Sequence, residues 1–130
     1  MKSRKSLVHE LDKAFSDFIR ERDGWRCVLC DEKDRDLLDA GHFLDRGPHA
    51  TRWLEDNVHC QCKRCNFIHM RHTWPYTRWM IEHYGQARID ELYRLHNTIS
   101  KFSNSTLEEW IKQYRNKRAE LMLQKAAAWN

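Results

Sequence analysis

Glycine and proline are scarce in this sequence, and it contains no long hydrophobic run. With four glycines and two prolines among 130 residues, it has no low-complexity segment and no linker long enough to divide it, so a single domain is expected. A membrane-spanning helix would need about 20 consecutive apolar residues, and the sequence has no such stretch. Residues 1–6 are basic, but the amphipathic segment after them carries acidic residues, which excludes a signal peptide. A cytoplasmic protein is expected.

Charge and cysteine content narrow the class of protein. The formal net charge is +4 and the pI is about 8.9, a mildly basic balance that permits a polyanionic partner without identifying one. The five cysteines are an odd number, and four of them form two Cys-x2-Cys pairs. Without a secretory segment, this pattern favours metal ligation in a reducing compartment over disulfide bonds.

The two Cys-x2-Cys pairs predict a structural zinc site. Cys27 and Cys30 form the first pair, and Cys62 and Cys65 form the second. Each turn of this spacing places two thiolates at adjacent corners of a tetrahedron, so two turns complete a closed site that stabilises a small fold without chemistry of its own. Cys60 could compete as a ligand, but its spacing to Cys65 is not that of a knuckle, which favours a half-buried free thiol.

Hydrophobic spacing predicts helices on both sides of the cysteine pairs. A first helix is expected from Leu7 to about Arg22, with Ser6 as its N-cap. The last helix is expected to begin at a capping box that starts at Ser105. The helical pattern therefore covers most of the chain outside the cysteine-rich segment.

The cysteine-rich segment itself predicts two short strands. Residues 37–43 and 57–61 have strand character, a polar loop joins them, and a helix can follow the second pair. The expected fold class is α+β, a mostly helical single domain with a zinc-anchored β-hairpin plus helix. Three segments are expected within it: an N-terminal helix (1–24), the zinc-stapled motif (25–72) and C-terminal helices (73–130).

Histidines and asparagines in and after the hairpin suggest phosphodiester hydrolysis. A neutral histidine such as His42 can take a proton from water near pH 7. Asn66 and His69 lie three residues apart, on one face of a helix, and could hold a divalent cation, Mg²⁺ or Mn²⁺. Asn57 could hydrogen-bond the backbone of the loop that carries His42. Taken singly, each histidine is more often a surface or a satisfied interior residue.

The motifs resemble a known family. The sequence C-V-L-C at residues 27–30, A-G-H-F at 40–43 and T-R-W-L-E-D-N-V-H-C-Q-C-K-R-C-N at 51–66 are similar to the HNH nucleases of phage recombination, the NinG/Rap family. The clear resemblance spans residues 27–92. It implies a ββα-metal (HNH) site beside a structural zinc, and branched DNA such as Holliday junctions or D-loops as substrate. A phage-encoded protein would act in the host cytoplasm.

The resemblance also implies roles for individual residues. His42 would be the general base and Asn57 the central Asn of the motif. Asn66 would take the last position, as in phage junction-resolving endonucleases where an asparagine there is a metal ligand. The sequence departs from the pattern at Gly41, where many HNH enzymes have a metal-ligating Asp or His.

That departure leaves the ligand set open. One alternative is that the metal takes another side chain, and the candidates are Asp39, Asp45, His49 and His59. The other is that His42 is itself a ligand and another histidine is the base. His59 is a credible catalytic residue because it lies two residues from Asn57 on the same strand face.

Basic residues near the expected site predict contacts with DNA phosphates. They are Arg46, Arg52, Lys63, Arg64 and Arg71. A homodimer is left open, because symmetric resolution of a junction needs two active sites. Three alternatives remain: a non-catalytic zinc module that only binds DNA, an HNH nuclease for linear duplex, and a zinc-stapled protein-interaction domain.

Overall fold

The computed structural model describes residues 1–129 and confirms a mixed α+β chain that is mostly helical. Its regular elements are α1 (Arg4–Arg22), β1 (Leu38–His42), α2 (His49–Arg52), β2 (Val58–Cys62), α3 (Lys63–His69), α4 (Trp74–Tyr84), α5 (Gln86–His96) and α6 (Asn104–Ala128). Short 3₁₀ turns precede each strand. None of the helices within the described residues is both long and apolar enough to cross a membrane.

The two strands form an antiparallel hairpin, as expected. Leu38 lies opposite Cys62 and His42 lies opposite Val58. Helix α3 begins at Lys63, directly after β2, so hairpin and helix form one continuous β1–β2–α3 unit. Residues that lie opposite each other project to the same face of the ribbon. One face carries Val58 into a core formed with α1, and the other carries Gln61 and His59.

Helices α1 and α6 enclose the larger core. Leu11 and Phe15 of α1 pack with Leu107 and Ile111 of α6, and all four are almost fully buried. Val58 of β2 joins the same cluster. Helix α1 therefore joins the C-terminal helix to the hairpin, although the three elements are far apart in the sequence.

Both expected caps of these helices were wrong by two or three residues. The hydroxyl of Ser3, not Ser6, caps α1 by accepting a hydrogen bond from the Ser6 N–H. The hydroxyl of Ser103, not that of Ser105, caps α6 by accepting from the Thr106 N–H. Each helix starts earlier than its apolar pattern does, because the first turn is solvent-exposed and carries no hydrophobic signal.

A second core lies beneath α4 and α5. Phe43 and Leu44, which directly follow β1, pack against Tyr76 and Met80 of α4 and against the buried side chains of α5. Gly85 joins the two helices with a φ of 85°, a left-handed conformation that favours glycine. This core holds the chain just beyond His42.

The end of α1 fixes the second strand. The Arg22 guanidinium donates to the carbonyls of Glu55 (2.8 Å) and Val58 (2.7 Å). The Asp23 carboxylate accepts from the Cys60 N–H at 2.8 Å. These bonds satisfy backbone groups of β2 and of the turn before it, and they fix the position of the hairpin relative to α1.

Candidate functional site

Four cysteines converge at the start of the hairpin, as their spacing predicted. The Sγ atoms of Cys27, Cys30, Cys62 and Cys65 all lie within 4.8 Å of one another. Zinc–sulfur bonds of about 2.3 Å in a tetrahedron need a set of this size. Cys62 is the N-cap of α3, and its sulfur accepts from the Cys65 N–H at 3.3 Å. The cluster could therefore hold a metal ion, and all four positions would be filled by protein.

Backbone hydrogen bonds join the first cysteine turn to the hairpin. The Val28 N–H donates to the Cys60 carbonyl at 2.9 Å, and the Asp31 N–H donates to the Cys27 carbonyl at 2.9 Å. Cys60 itself lies outside the four-cysteine set and is fully buried. Burial raises the pKa of its thiol to about 12, so it stays protonated at neutral pH. This agrees with a free thiol, although more deeply buried than expected.

An open cleft of roughly 900 Å³ runs along the free edge of β1, between α1 and α3. His42 lines this cleft, and so do Asn66 and His69, which lie more than 20 residues further along the chain. Three carboxylates also border the cleft, namely those of Asp12, Asp39 and Asp45. The structure therefore brings the expected base and both expected cation ligands to one surface.

His42 is held in one tautomer. Its Nε2 lies 2.9 Å from the Arg52 carbonyl oxygen; because a carbonyl only accepts, Nε2 carries the proton and Nδ1 keeps a lone pair. Burial lowers the pKa of His42 below its usual value, although the hydrogen bond to the carbonyl opposes this. A neutral imidazole at pH 7 with a free lone pair can accept a proton.

Asn57 holds the loop between His42 and Arg52. Its side chain is completely buried. The amide nitrogen donates to the carbonyls of Leu44 (3.1 Å) and Thr51 (3.0 Å), and the amide oxygen accepts from the Leu44 N–H at 2.9 Å. Three hydrogen bonds from one side chain thus fix both ends of the loop. They also fix the position of the Arg52 carbonyl that orients His42.

Asn66 and His69 project from α3, three residues apart. His69 Nε2 donates to the Phe43 carbonyl at 2.7 Å, so Nδ1 carries the lone pair. That Nδ1 is buried and has no hydrogen-bond partner within residues 1–129. A buried imidazole nitrogen without a partner is unfavourable unless something else binds it. Together with the amide oxygen of Asn66, it fits the donor set that a divalent cation needs.

His59 does not join this group, which corrects the expectation that it is catalytic. It is 2% exposed, and its nitrogens lie 2.9 Å from the Tyr76 hydroxyl and 2.6 Å from the Tyr84 hydroxyl. Tyr76 donates its own proton to the Gly41 carbonyl, so His59 donates from Nδ1 and accepts at Nε2. Both nitrogens are therefore occupied. The expectation that Asn57 and His59 share a strand face was wrong, because Asn57 lies in the turn before β2 and the tyrosines of α4 cover the face that carries His59.

Arg52 is likewise not a free basic residue. Its side chain is 12% exposed and forms a two-point ion pair with Asp12, at 2.9 and 2.5 Å. Burial opposes ionisation of Asp12, but the hydrogen bonds from Arg52 and Trp53 outweigh it and lower the pKa of the carboxyl. The expected phosphate contact by Arg52 is therefore replaced by a structural role.

The other basic residues remain on the surface. Arg46 is 66% exposed at the rim of the cleft, and its guanidinium lies 3.8 Å from the Asp12 carboxylate. Lys63 is exposed but paired with Asp39 at 2.9 Å. Arg64 and Arg71 are exposed, and neither has an ion-pair partner among the described residues. Sequence reasoning missed Asp12, because a polar residue on an amphipathic helix gives no sign of a partner forty positions away.

A four-cysteine cluster that could bind a metal, a hairpin and a short helix beside a histidine-lined cleft define a small α+β protein. The model of the bacteriophage lambda NinG protein family matches residues 1–124, so the chain belongs to the NinG family. The match extends beyond the resemblance at residues 27–92, and it includes α1 and most of α6.

Individual relatives come from several phages. The chain is 31% identical over 128 residues to protein ninG of Escherichia phage lambda, and 30% identical to that of Escherichia phage 933W. It is 29% identical to protein ninG of Salmonella phage P22. These alignments cover 92% of this chain but only 63–64% of each relative. The chain thus spans just under two thirds of the relatives' length. No solved structure matches it significantly.

Proposed function

We propose that this chain is a metal-dependent DNA endonuclease of the HNH (ββα-metal) type, which cleaves branched recombination intermediates such as Holliday junctions or D-loops. The observation that carries the proposal is His42, held neutral in one tautomer at a cleft that Asn66 and His69 also line. In this proposal the four-cysteine cluster is a structural zinc site, and reduced metal-ligating thiols support a reducing compartment such as the cytoplasm.

Different residues have different roles in the proposed hydrolysis. His42 takes a proton from water at Nδ1, while its Nε2–H stays bonded to the Arg52 carbonyl. Asn66 and His69 would hold the divalent cation. Mg²⁺ or Mn²⁺, when bound, supplies the positive charge that offsets the charge growing on the phosphate and the leaving oxygen. Asn57 acts through the loop and is a positioning residue.

The charges around the cleft agree with a polyanionic substrate and a cation. Asp12 is neutralised by Arg52 and Asp39 by Lys63, so neither carboxylate repels a phosphate with its full charge. Arg46 at the rim can contact a phosphate directly. Most of the affinity would come from such contacts and would fall as salt rises.

The test compares a four-way DNA junction with a linear duplex of the same arm sequence. Wild type, His42→Ala and His72→Ala are incubated with Mg²⁺ or Mn²⁺, and their zinc content is measured. His72 is the matched control because it is exposed and does not line the cleft. Loss of a general base should slow cleavage by about 10²- to 10⁴-fold in His42→Ala, with zinc retained and His72→Ala unaffected.

Each of the other outcomes supports a different function for the chain. Equal cutting of junction and duplex keeps the nuclease and removes the branched substrate. Binding of DNA without cutting by wild type, under either cation, makes the chain a non-catalytic DNA-binding module. Absence of DNA binding even at low salt would leave a protein-interaction domain.

A further inference from the structure

The side chain of Gln61 is buried with nothing to bind. It lies on β2 opposite Asp39, is 0% exposed, and neither its amide nitrogen nor its amide oxygen has a hydrogen-bond partner within residues 1–129. A buried amide is normally hydrogen-bonded, because losing its water without a replacement costs free energy. An amide that stays buried and unpaired calls for a ligand or a functional reason.

The amide oxygen of Gln61 lies where a side chain at position 41 would be. A Cβ built on Gly41 would lie 1.8 Å from Gln61 Oε1 and 3.1 Å from Asn66 Oδ1. Glycine at position 41 therefore makes room for the Gln61 amide. Two amide oxygens approach the same point, and two acceptors cannot satisfy each other. A cation between them would satisfy both.

The position of the Gln61 amide bears on the difference between this sequence and the HNH pattern at Gly41. In the HNH pattern that the sequence resembles, the residue before the base supplies a metal ligand, and glycine has no side chain to do so. We propose that Gln61 supplies this ligand from the neighbouring strand, so that its Oε1, Asn66 Oδ1 and His69 Nδ1 together hold the divalent cation. The inference rests on the proposed function and deepens it.

The chemistry of the three donors is consistent with this assignment. Amide oxygens are hard ligands that suit Mg²⁺ and Mn²⁺, and an imidazole is a common additional ligand. Gln61 and His69 each contribute a buried atom without a partner, and those two observations are independent. All three groups are neutral, so binding of the free cation is weak and the substrate phosphate supplies the missing negative charge.

The experiment measures Mn²⁺ binding by the full zinc-loaded chain, without DNA, by calorimetry and by the electron paramagnetic resonance of free Mn²⁺. Gln61→Met removes the oxygen but keeps the volume, and Gln124→Met is the control because Gln124 is exposed on α6. We expect Gln61→Met to weaken Mn²⁺ binding by about tenfold or more, with zinc retained. Its melting temperature without Mn²⁺ should equal or exceed that of wild type, because an unpaired buried amide is removed.

Three further variants keep the proposal open to refutation if Gln61→Met fails to fold. Gln61→Glu keeps the oxygen and adds a charge, so it should bind Mn²⁺ more tightly than wild type. Gly41→Asp combined with Gln61→Ala moves the ligand back to β1 and should restore the binding that Gln61→Ala alone loses.

Failure of this inference differs from failure of the nuclease proposal. Wild-type cleavage that depends on Mn²⁺, together with unchanged Mn²⁺ affinity in Gln61→Met, would show that Gln61 is only a packing residue. Absence of both Mn²⁺ binding and cleavage in wild type would overturn the nuclease proposal and this inference together.

Discussion

Replacing Asn57 by alanine should both destabilise the fold and disorient His42. The buried Asn57 amide makes three hydrogen bonds, one to the Leu44 N–H and two to the carbonyls of Leu44 and Thr51. Alanine leaves the Leu44 N–H and carbonyl unpaired, whereas the Thr51 carbonyl keeps a bond of 3.4 Å from the Leu54 N–H. Each net bond is worth about 1 kcal/mol, and each buried group left unpaired costs about 1–3 kcal/mol.

The expected loss is about 3 to 5 kcal/mol of unfolding free energy. Domains of this size are stable by about 5–15 kcal/mol, so the variant should fold but unfold at much lower urea. Equilibrium urea denaturation of the zinc-loaded protein measures the loss. Asn97→Ala is the control: Asn97 is exposed and donates one hydrogen bond at the end of α5, so it should change stability by less than about 0.5 kcal/mol.

Cleavage provides the second readout. The loop that Asn57 holds carries the Arg52 carbonyl, which fixes the His42 tautomer, so cleavage should fall even where Asn57→Ala is fully folded. A loss of stability below about 1 kcal/mol, or unchanged cleavage by the folded variant, would refute the reasoning. In either case the loop would be held by something other than the Asn57 amide.

Two further predictions concern the metal and pH. One Zn²⁺ per chain should be released by a strong chelator with a fall in melting temperature, and Cys30→Ser should bind zinc more weakly; an unchanged melting curve would contradict a structural ion. Burial lowers the pKa of His59 to about 2, so below pH 6.5 the unfolded chain takes up a proton that the folded chain does not. Stability should therefore fall by about 1.4 kcal/mol per pH unit from this group. Urea titrations at pH 6.5 and 4.5 should show a steeper loss of stability in wild type than in His59→Gln, and the difference between the two slopes should be about this value.

The parts of the site that the sequence predicts are those fixed by local spacing. The four cysteines and the hairpin between them follow from two short turns, and His42, Asn66 and His69 do meet at one cleft. Short turns set the cysteine geometry, and the hairpin with the helix that directly follows it brings His42 to Asn66 and His69, so the order of local elements along the chain contains the information.

The parts that the sequence could not predict depend on distant elements. The two-residue interval between Asn57 and His59 suggested one shared strand face, but only the packing of α4 reveals that Tyr76 and Tyr84 hydrogen-bond both nitrogens of the His59 ring. Gln61 gives even less signal, because a buried and unpaired amide is a property of three-dimensional structure. In the sequence, only the glycine at position 41 indicated that a metal ligand would have to come from another residue.

The proposed base depends on a helix outside the β1–β2–α3 unit. Asp12 of α1 binds the Arg52 guanidinium through both carboxylate oxygens and accepts from the Trp53 indole at 3.0 Å. Arg52 in turn presents its carbonyl to His42. Hydrogen bonds at the two ends of Arg52 therefore connect α1 to the base. The family match begins at residue 1, not at the first cysteine, which agrees with α1 belonging to the same unit. Residues 25–72 alone would keep the four cysteines and the Arg52 carbonyl but lose Asp12, which holds the Arg52 side chain.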